Sequence, residues 1–81
     1  MSLTKCVFRK FKKGGDIVAL FPSEINYPNG DCESYQRIGQ HGAATYSHVM
    51  KITVKPSEAE IAPLRKELES LGYSLREVTR K

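Results

Sequence analysis

Two strand-like segments joined by a Gly-Gly turn constrain the fold of this chain most. Residues 4–11, TKCVFRKF, alternate partly between apolar and polar side chains, and residues 16–22, DIVALFP, are apolar along nearly their whole length. Between them, Gly14 and Gly15 can adopt the positive φ that a tight hairpin turn needs. A short apolar run bounded by a turn and a proline is typical of a central strand. The sequence therefore predicts an N-terminal hairpin with a buried second strand.

The clearest helix lies in residues 56–73, PSEAEIAPLRKELESLGY. Ser57 and Glu60 form a capping-box pattern, and Gly72 can end the helix in a left-handed conformation. Pro63 disagrees with this pattern, so either the first turn is kinked or the regular helix begins nearer residue 61. One apolar stripe at helical spacing consists of Ile61, Leu64, Leu68 and Leu71.

The middle of the chain is less regular. Residues 22–30 contain two prolines and an Asn-Gly pair and are predicted to form a loop. Residues 31–38 alternate and predict a third, half-exposed strand, with Tyr35 and Arg37 on its exposed face. Residues 39–45 are predicted as loop. Residues 46–54 favour a strand at their end, although a short helical turn at 45–50 is an alternative.

These elements predict a single α+β domain over residues 1–81, since a chain of this length fits one domain. The expected order is β-β-β-(β)-α-β, because residues 73–80 alternate as a final strand. An antiparallel sheet of four to five strands with one C-terminal helix packed on one face satisfies that order. We expect the helix stripe to cover Ile17, Ala19 and Phe21.

Composition narrows the class of protein. Apolar residues make up 40% of the chain and charged residues 27%, which is typical of a globular domain. No apolar run approaches the roughly 20 residues that span a bilayer, and the N-terminus lacks the apolar core of a signal peptide. We therefore expect a cytoplasmic protein without membrane contact, in which the two cysteines are reduced and Cys6 is a core residue.

Basic residues predict an alternative function. The net charge is +4, with four cations between residues 9 and 13 and more at the C-terminus. If the two ends pair in one sheet, a basic edge results that could attract phosphate. A lysine-rich edge that resists aggregation is the competing interpretation. The residues of the nucleic-acid alternative are Arg9, Lys10, Lys12, Lys13, Arg37 and Arg80.

Two glycines frame a Gln-His pair at residues 39–42. Glycine permits unusual backbone conformations and close approach, and histidine can move protons or bind metal near neutral pH. One interpretation is a recognition or catalytic loop, and the other is a tight connection in which His41 caps backbone groups. The proposed contact patch consists of Tyr35, Arg37, Gly39, Gln40, His41 and Gly42.

Enzymatic and metal-binding alternatives depend on the cysteines and histidines. A nucleophilic Cys32 with His41 or His48 as its base would make this chain a small enzyme, but no known Cys-His spacing matches. Cys6, Cys32, His41 and His48 have the ligand types of a zinc site but lack its paired spacing. The segment KKGGD at 12–16 has no Walker pattern. We therefore expect no metal or other cofactor.

Three segments resemble a family of short bacterial proteins that phages and mobile elements often encode, and for which no activity is established. They are FRKFKKGGDIVALFP at 8–22, CESYQRIGQHGAA at 32–44 and ELESLGYSLREVTR at 67–80. The resemblance implies an accessory role. It also implies one characteristic patch made of Cys32, Ser34, Tyr35, Gly39, Gln40, His41 and Gly42.

Together, these observations favour a non-enzymatic binding module that contacts a partner protein. An exposed strand edge would allow pairing with a partner strand or with a second copy as a homodimer. Nucleic-acid binding is the first alternative, and an enzyme using His41 and Cys32 is the second.

Overall fold

The computed structural model describes residues 3–25, 27–28, 30–36 and 40–79. Within these residues the chain is an α+β fold with six strands and two helices. The order is β1 Thr4–Phe11, β2 Ile17–Phe21, β3 Cys32–Gln36, β4 Gln40–Ala44, α1 Tyr46–Ile52, β5 Thr53–Val54, α2 Glu58–Ser70 and β6 Leu75–Glu77. The described part contains no helix that is long and apolar enough to cross a bilayer.

The predicted hairpin is confirmed. β1 pairs antiparallel with β2, with Phe8 opposite Ala19. Gly14 and Gly15 both have positive φ, at 89° and 76°, so the turn uses the freedom that only glycine supplies without strain. The amide of Phe11 donates to the carbonyl of Asp16 at 2.8 Å and closes the loop.

The sheet order is β4-β3-β2-β1-β5, and β6 pairs with the first half of β1. The predicted loop at 39–45 is wrong, because Gln40–Ala44 pairs antiparallel with β3 along its whole length. The predicted antiparallel sheet is confirmed, except that β6 runs parallel to β1. β1 is therefore an interior strand, while β4 lies at one end of the sheet.

α2 covers one face of the sheet. Ser57 and Glu60 form the predicted capping box, and the helix begins at Glu58 and continues through Pro63. Leu64 and Leu68 are buried, whereas Leu71, predicted to complete the stripe, is 56% exposed. The core beneath α2 consists of Cys6, Phe8, Ala19, Phe21, Tyr35, Leu64 and Leu68, with Ile17 packed against it. Covering of Ile17, Ala19 and Phe21 by this helix is thus confirmed.

A second helix, which the predicted order lacks, covers the other face. α1 occupies Tyr46–Ile52, which agrees with the alternative of a helical turn at 45–50, and the extended structure favoured at the end of this segment is confirmed for Thr53–Val54. Helix α1 buries Val49 against a second core cluster with Val7, Val18, Leu20, Cys32 and Ala44. β3 is consequently buried on both faces and is not the half-exposed strand that its alternation predicts.

Candidate functional site

His41 lies on β4 directly opposite Tyr35 of β3, on the face that α2 covers. Its ring is exposed and meets the edge of the Tyr35 ring, with centroids 4.7 Å apart and planes at 66°. His41 Nε2 and the Tyr73 hydroxyl share a hydrogen bond of 3.2 Å. The histidine is therefore part of a strand and is held between two tyrosines.

Tyr35 is buried in the core and contacts the ring of His41. Its side chain is only 1% exposed, so its predicted position on an exposed strand face is wrong. Its hydroxyl donates a hydrogen bond to the carboxylate of Glu67 of α2. The buried hydroxyl therefore has a hydrogen-bond partner inside the core. Tyr35 therefore positions His41 and is not itself available to an incoming molecule.

Tyr73 reaches His41 because of how α2 ends. Gly72 has φ 101°, its amide bonds to the carbonyl of Glu69, and the amide of Tyr73 bonds to the carbonyl of Leu68. This is the Schellman arrangement, which folds the residue after the glycine back onto the helix. Tyr73 then stacks on Phe21 with ring centroids 5.3 Å apart.

The hydroxyl of Tyr73 stays protonated at neutral pH. Burial raises its pKa above the usual value of 10, and the carboxylates of Glu33 and Glu24 raise it further. A protonated hydroxyl can both donate and accept, so it can serve either tautomer of His41.

A shallow depression of about 360 Å³ lies between the end of α2 and β4. It is lined by His41, Leu71, Gly72 and Tyr73. Since Leu71 is 56% exposed, the depression offers an uncovered apolar wall beside two hydrogen-bonding rings. An aliphatic or aromatic side chain could bind there.

The backbone of β4 leaves one row of polar groups pointing away from the sheet. The amide of Glu33 donates to Glu24, on the β2 side of β3, at 2.9 Å. Because successive residues of an antiparallel strand bond to alternate sides, Glu33 and Tyr35 bond towards β2 and Ser34 bonds towards β4. The pairs Glu33–Ala43 and Tyr35–His41 therefore lack direct bonds, and the amides and carbonyls of His41 and Ala43 face outwards.

This outer edge has few of the features that protect sheet edges. β4 reads QHGAA, without lysine or proline. Within the described residues no further strand pairs with it. The side chains of Gly42, Ala43 and Ala44 are small, so another backbone can approach closely.

The other residues of the predicted patch have different placements. The carbonyl of Gly42 accepts from the Ser34 hydroxyl at 2.9 Å, and Gln40 pairs with Gln36 through β4. Arg37 and Gly39, together with Arg80 of the nucleic-acid alternative, lie outside the described residues. Of the predicted patch, the structure therefore places Gln40, His41 and Gly42 on β4 and Tyr35 on β3.

The cysteines do not share a site with the histidine. Cys32 pairs with Ala44 and packs under α1, whereas His41 lies on the α2 face, so His41 cannot act as a base for Cys32. Cys6 lies on the α2 face, where burial, followed by the charge of Glu77, raises the pKa of its thiol to about 12. The part of the chain that the structure describes has no group of three His, Cys, Asp or Glu side chains able to hold a metal ion.

The N-terminal cations separate into two kinds. Arg9 donates to the Thr53 hydroxyl at 2.9 Å and to the Thr53 carbonyl at 2.8 Å, and Lys10 forms an ion pair with Glu60. These two side chains link β1 to β5 and to α2. Lys12 and Lys13 are exposed in the turn.

The sequence pattern does not reveal the two side chains that line the depression beside His41, Leu71 and Tyr73. Helical spacing predicts Leu71 as part of the apolar stripe, and alternation predicts Tyr73 as part of the final strand. The signal that could have found them is Gly72, because a Schellman ending places its flanking residues beside the last helical turn.

No protein-family model matches the sequence, and comparisons with curated proteins and with solved structures likewise returned no match. The expected relation to phage proteins gains no support from these comparisons.

Proposed function

We propose that this protein is a binding module that takes up an extended segment of a partner protein along the outer edge of β4. The observation that carries the proposal is the coincidence of two features. The outward amides and carbonyls of His41 and Ala43 lie next to the depression lined by Leu71, Gly72 and Tyr73. Strand addition uses this combination, since main-chain bonds give affinity and an adjacent pocket gives specificity.

The geometry of pairing defines the side chain that would bind. Residues directly opposite each other in an antiparallel pair point to the same face. A partner residue opposite His41 would therefore project onto the α2 face, where the depression lies. A large apolar side chain at that position would contact Leu71 and the ring of Tyr73.

A foreign segment fits this edge better than a second copy of the chain. Two β4 strands related by a twofold axis at Gly42 would place Ala43 opposite His41. The methyl group of alanine would leave most of the 360 Å³ depression empty. A partner with Leu, Phe or Met at that position buries more apolar area, at about 25 cal/mol per Å².

Charge near the edge adds a preference. Asp31 accepts a hydrogen bond from the Thr45 hydroxyl at the far end of β4, and Glu33 and Glu24 lie at the same end of the sheet. A basic residue in the partner near the Ala44 end would complement these carboxylates.

Selection of peptides from a phage-displayed library of random heptamers tests the proposal. Peptides selected on the wild-type protein are then titrated by fluorescence anisotropy against variants. Ala43→Pro removes one outward amide and should abolish binding, whereas Ala43→Val keeps that amide and should retain it. Leu71→Ser should weaken binding about tenfold or more, because it removes the apolar wall.

Thermal unfolding of each variant shows whether it is folded. Enrichment of no peptide, or equal binding of the selected peptides to wild type and Ala43→Pro, would contradict the proposal. Dimerisation of the free protein that Ala43→Pro abolishes would instead assign the edge to a second copy.

A further inference from the structure

We infer that the end of the molecule where the hairpin turn meets the end of α1 binds the phosphate backbone of duplex nucleic acid. The surface is a lysine corner, which we define as Lys12, Lys13, Lys51 and Lys55. All four side chains are exposed. The inference is independent of β4 and of the strand-binding proposal.

Pairing places the four lysines on the β5 side of the sheet, at the hairpin turn, at the end of α1 and directly after β5. The amide of Lys12 donates to the carbonyl of Ile52 at 3.1 Å, which holds the hairpin turn against the end of α1. Lys51 belongs to the last turn of α1. Lys55 follows β5, whose Val54 lies opposite Lys10. Lys51 and Lys55 are far from the hairpin in sequence, so the sequence pattern alone did not include them.

The charge at this corner is largely uncompensated by its surroundings. Asp16 lies at the base of the same hairpin, and Glu60 is engaged by Lys10. Glu58 and Glu77 line a depression together with Lys55, and both carboxylates are bound by Arg65. Three other carboxylates, Glu24, Asp31 and Glu33, lie at the opposite end of the sheet, beyond β2 and at the start of β3. This separation gives the molecule a positive end that can orient it towards a polyanion.

Duplex backbone is the polyanion that these residues fit best. The exposed large apolar side chains of the described chain are all aliphatic, so the corner offers no aromatic platform for unpaired bases. Ile52 and Val54 beside the lysines are 39% and 42% exposed, which leaves little apolar area to insert into a bilayer. Duplex DNA carries one charge per about 1.7 Å of its axis, and binding to it needs only phosphate contacts.

Fluorescence anisotropy with two labelled 20-base-pair DNA duplexes of unrelated sequence tests this inference. If each lysine neutralises one phosphate, the logarithm of the affinity falls with the logarithm of salt with a slope of about 3.6. Between 50 and 200 mM NaCl this slope corresponds to a loss of about 150-fold. Both duplexes should bind equally.

Two triple variants with the same change in net charge locate the contact. Replacing Lys12, Lys13 and Lys55 with glutamine should lower the slope by about 2.7. Replacing Lys5, Lys66 and Arg76 with glutamine should leave the slope nearly unchanged. Equal losses in both variants, or no binding at 50 mM NaCl, would overturn the inference. Binding to phosphatidylserine vesicles without binding to DNA would also overturn it and would assign the corner to a membrane surface.

Discussion

Single residues in this protein take their roles from the faces on which the sheet places them. Tyr35 and His41 are direct cross-strand neighbours, yet Tyr35 is buried and His41 is exposed. Alternation in the sequence showed which residues share a face. Alternation gives no sign that both faces of β3 are covered, and for that reason it predicts an exposed Tyr35.

Replacing Gly42 with alanine tests whether this glycine is required by the backbone. Gly42 has no positive φ, and a Cβ at this position would meet the Ser34 hydroxyl oxygen at 4.0 Å, an ordinary contact. Since alanine restricts the unfolded chain more than glycine, we expect a gain of about 0.4–1 kcal/mol in the free energy of unfolding in urea. A loss of stability would show that β4 needs glycine for a reason absent from its geometry.

Replacing Thr53 with valine removes a buried hydroxyl that links two elements. This hydroxyl donates to the carbonyl of Val49 at 2.6 Å and accepts from Arg9 Nε at 2.9 Å. Valine has nearly the same shape but leaves both partners unsatisfied, so unfolding should become easier by about 1–3 kcal/mol. In the matched control, Thr79→Val at an exposed position, the change should stay within about 0.5 kcal/mol. Equal effects of the two changes would remove the Arg9 link from the account.

At the scale of elements, strong local signals succeeded and weak ones failed. The hairpin has two glycines with positive φ in its turn, and α2 has a complete capping box at its start. Both signals act within a few residues. β4 carries Gly42 and two alanines, which have low strand propensity, and becomes a strand through its pairing with β3. The parallel pairing of β6 with β1 depends on the path of α2 across the sheet, and hydrophobic periodicity does not predict that path.

Replacing Arg65 with methionine should loosen β6. The guanidinium donates to Glu77 of β6 at 2.6 and 2.8 Å and also contacts Glu58, so it ties β6 to α2. We expect faster amide hydrogen exchange at Val78, whose amide bonds to the carbonyl of Cys6, without faster exchange in β2. The neighbouring exposed change Lys66→Met is the control. Unchanged exchange at Val78 would show that main-chain pairing alone holds β6.

Acid should weaken the start of α2. The hydrogen bond from Lys10, with that from the Ser57 amide, lowers the pKa of Glu60 from its usual 4.5 to about 2. A lowered pKa in the folded state stabilises the fold above the usual value, and this stabilisation is lost as the pH falls through the folded value. Between pH 4.5 and 2, the Tm of Glu60→Gln should therefore fall less steeply than that of the wild type. Parallel curves would contradict this role of Glu60.

At the scale of the whole molecule, a sheet covered by helices on both faces leaves its edges and ends for binding. The strand edge lies beside the ending of α2, and the lysine corner lies where the hairpin meets α1. The number of charged residues alone indicates a basic protein. The separation of the lysine corner from the carboxylates depends on pairings between residues distant in sequence. The sequence could therefore predict the fold class, but not the surfaces on which His41 and the exposed lysines lie.

Residue-resolved amide hydrogen exchange in β4 tests the central claim most directly. In the free protein, the amides of His41 and Ala43 should exchange rapidly, because they face outwards. Those of Gly42 and Ala44 should be slowed by their bonds to β3. Addition of a selected peptide should slow His41 and Ala43 alone. Slow exchange of His41 and Ala43 in the free monomer would mean that this edge is already covered, and it would contradict strand addition at β4.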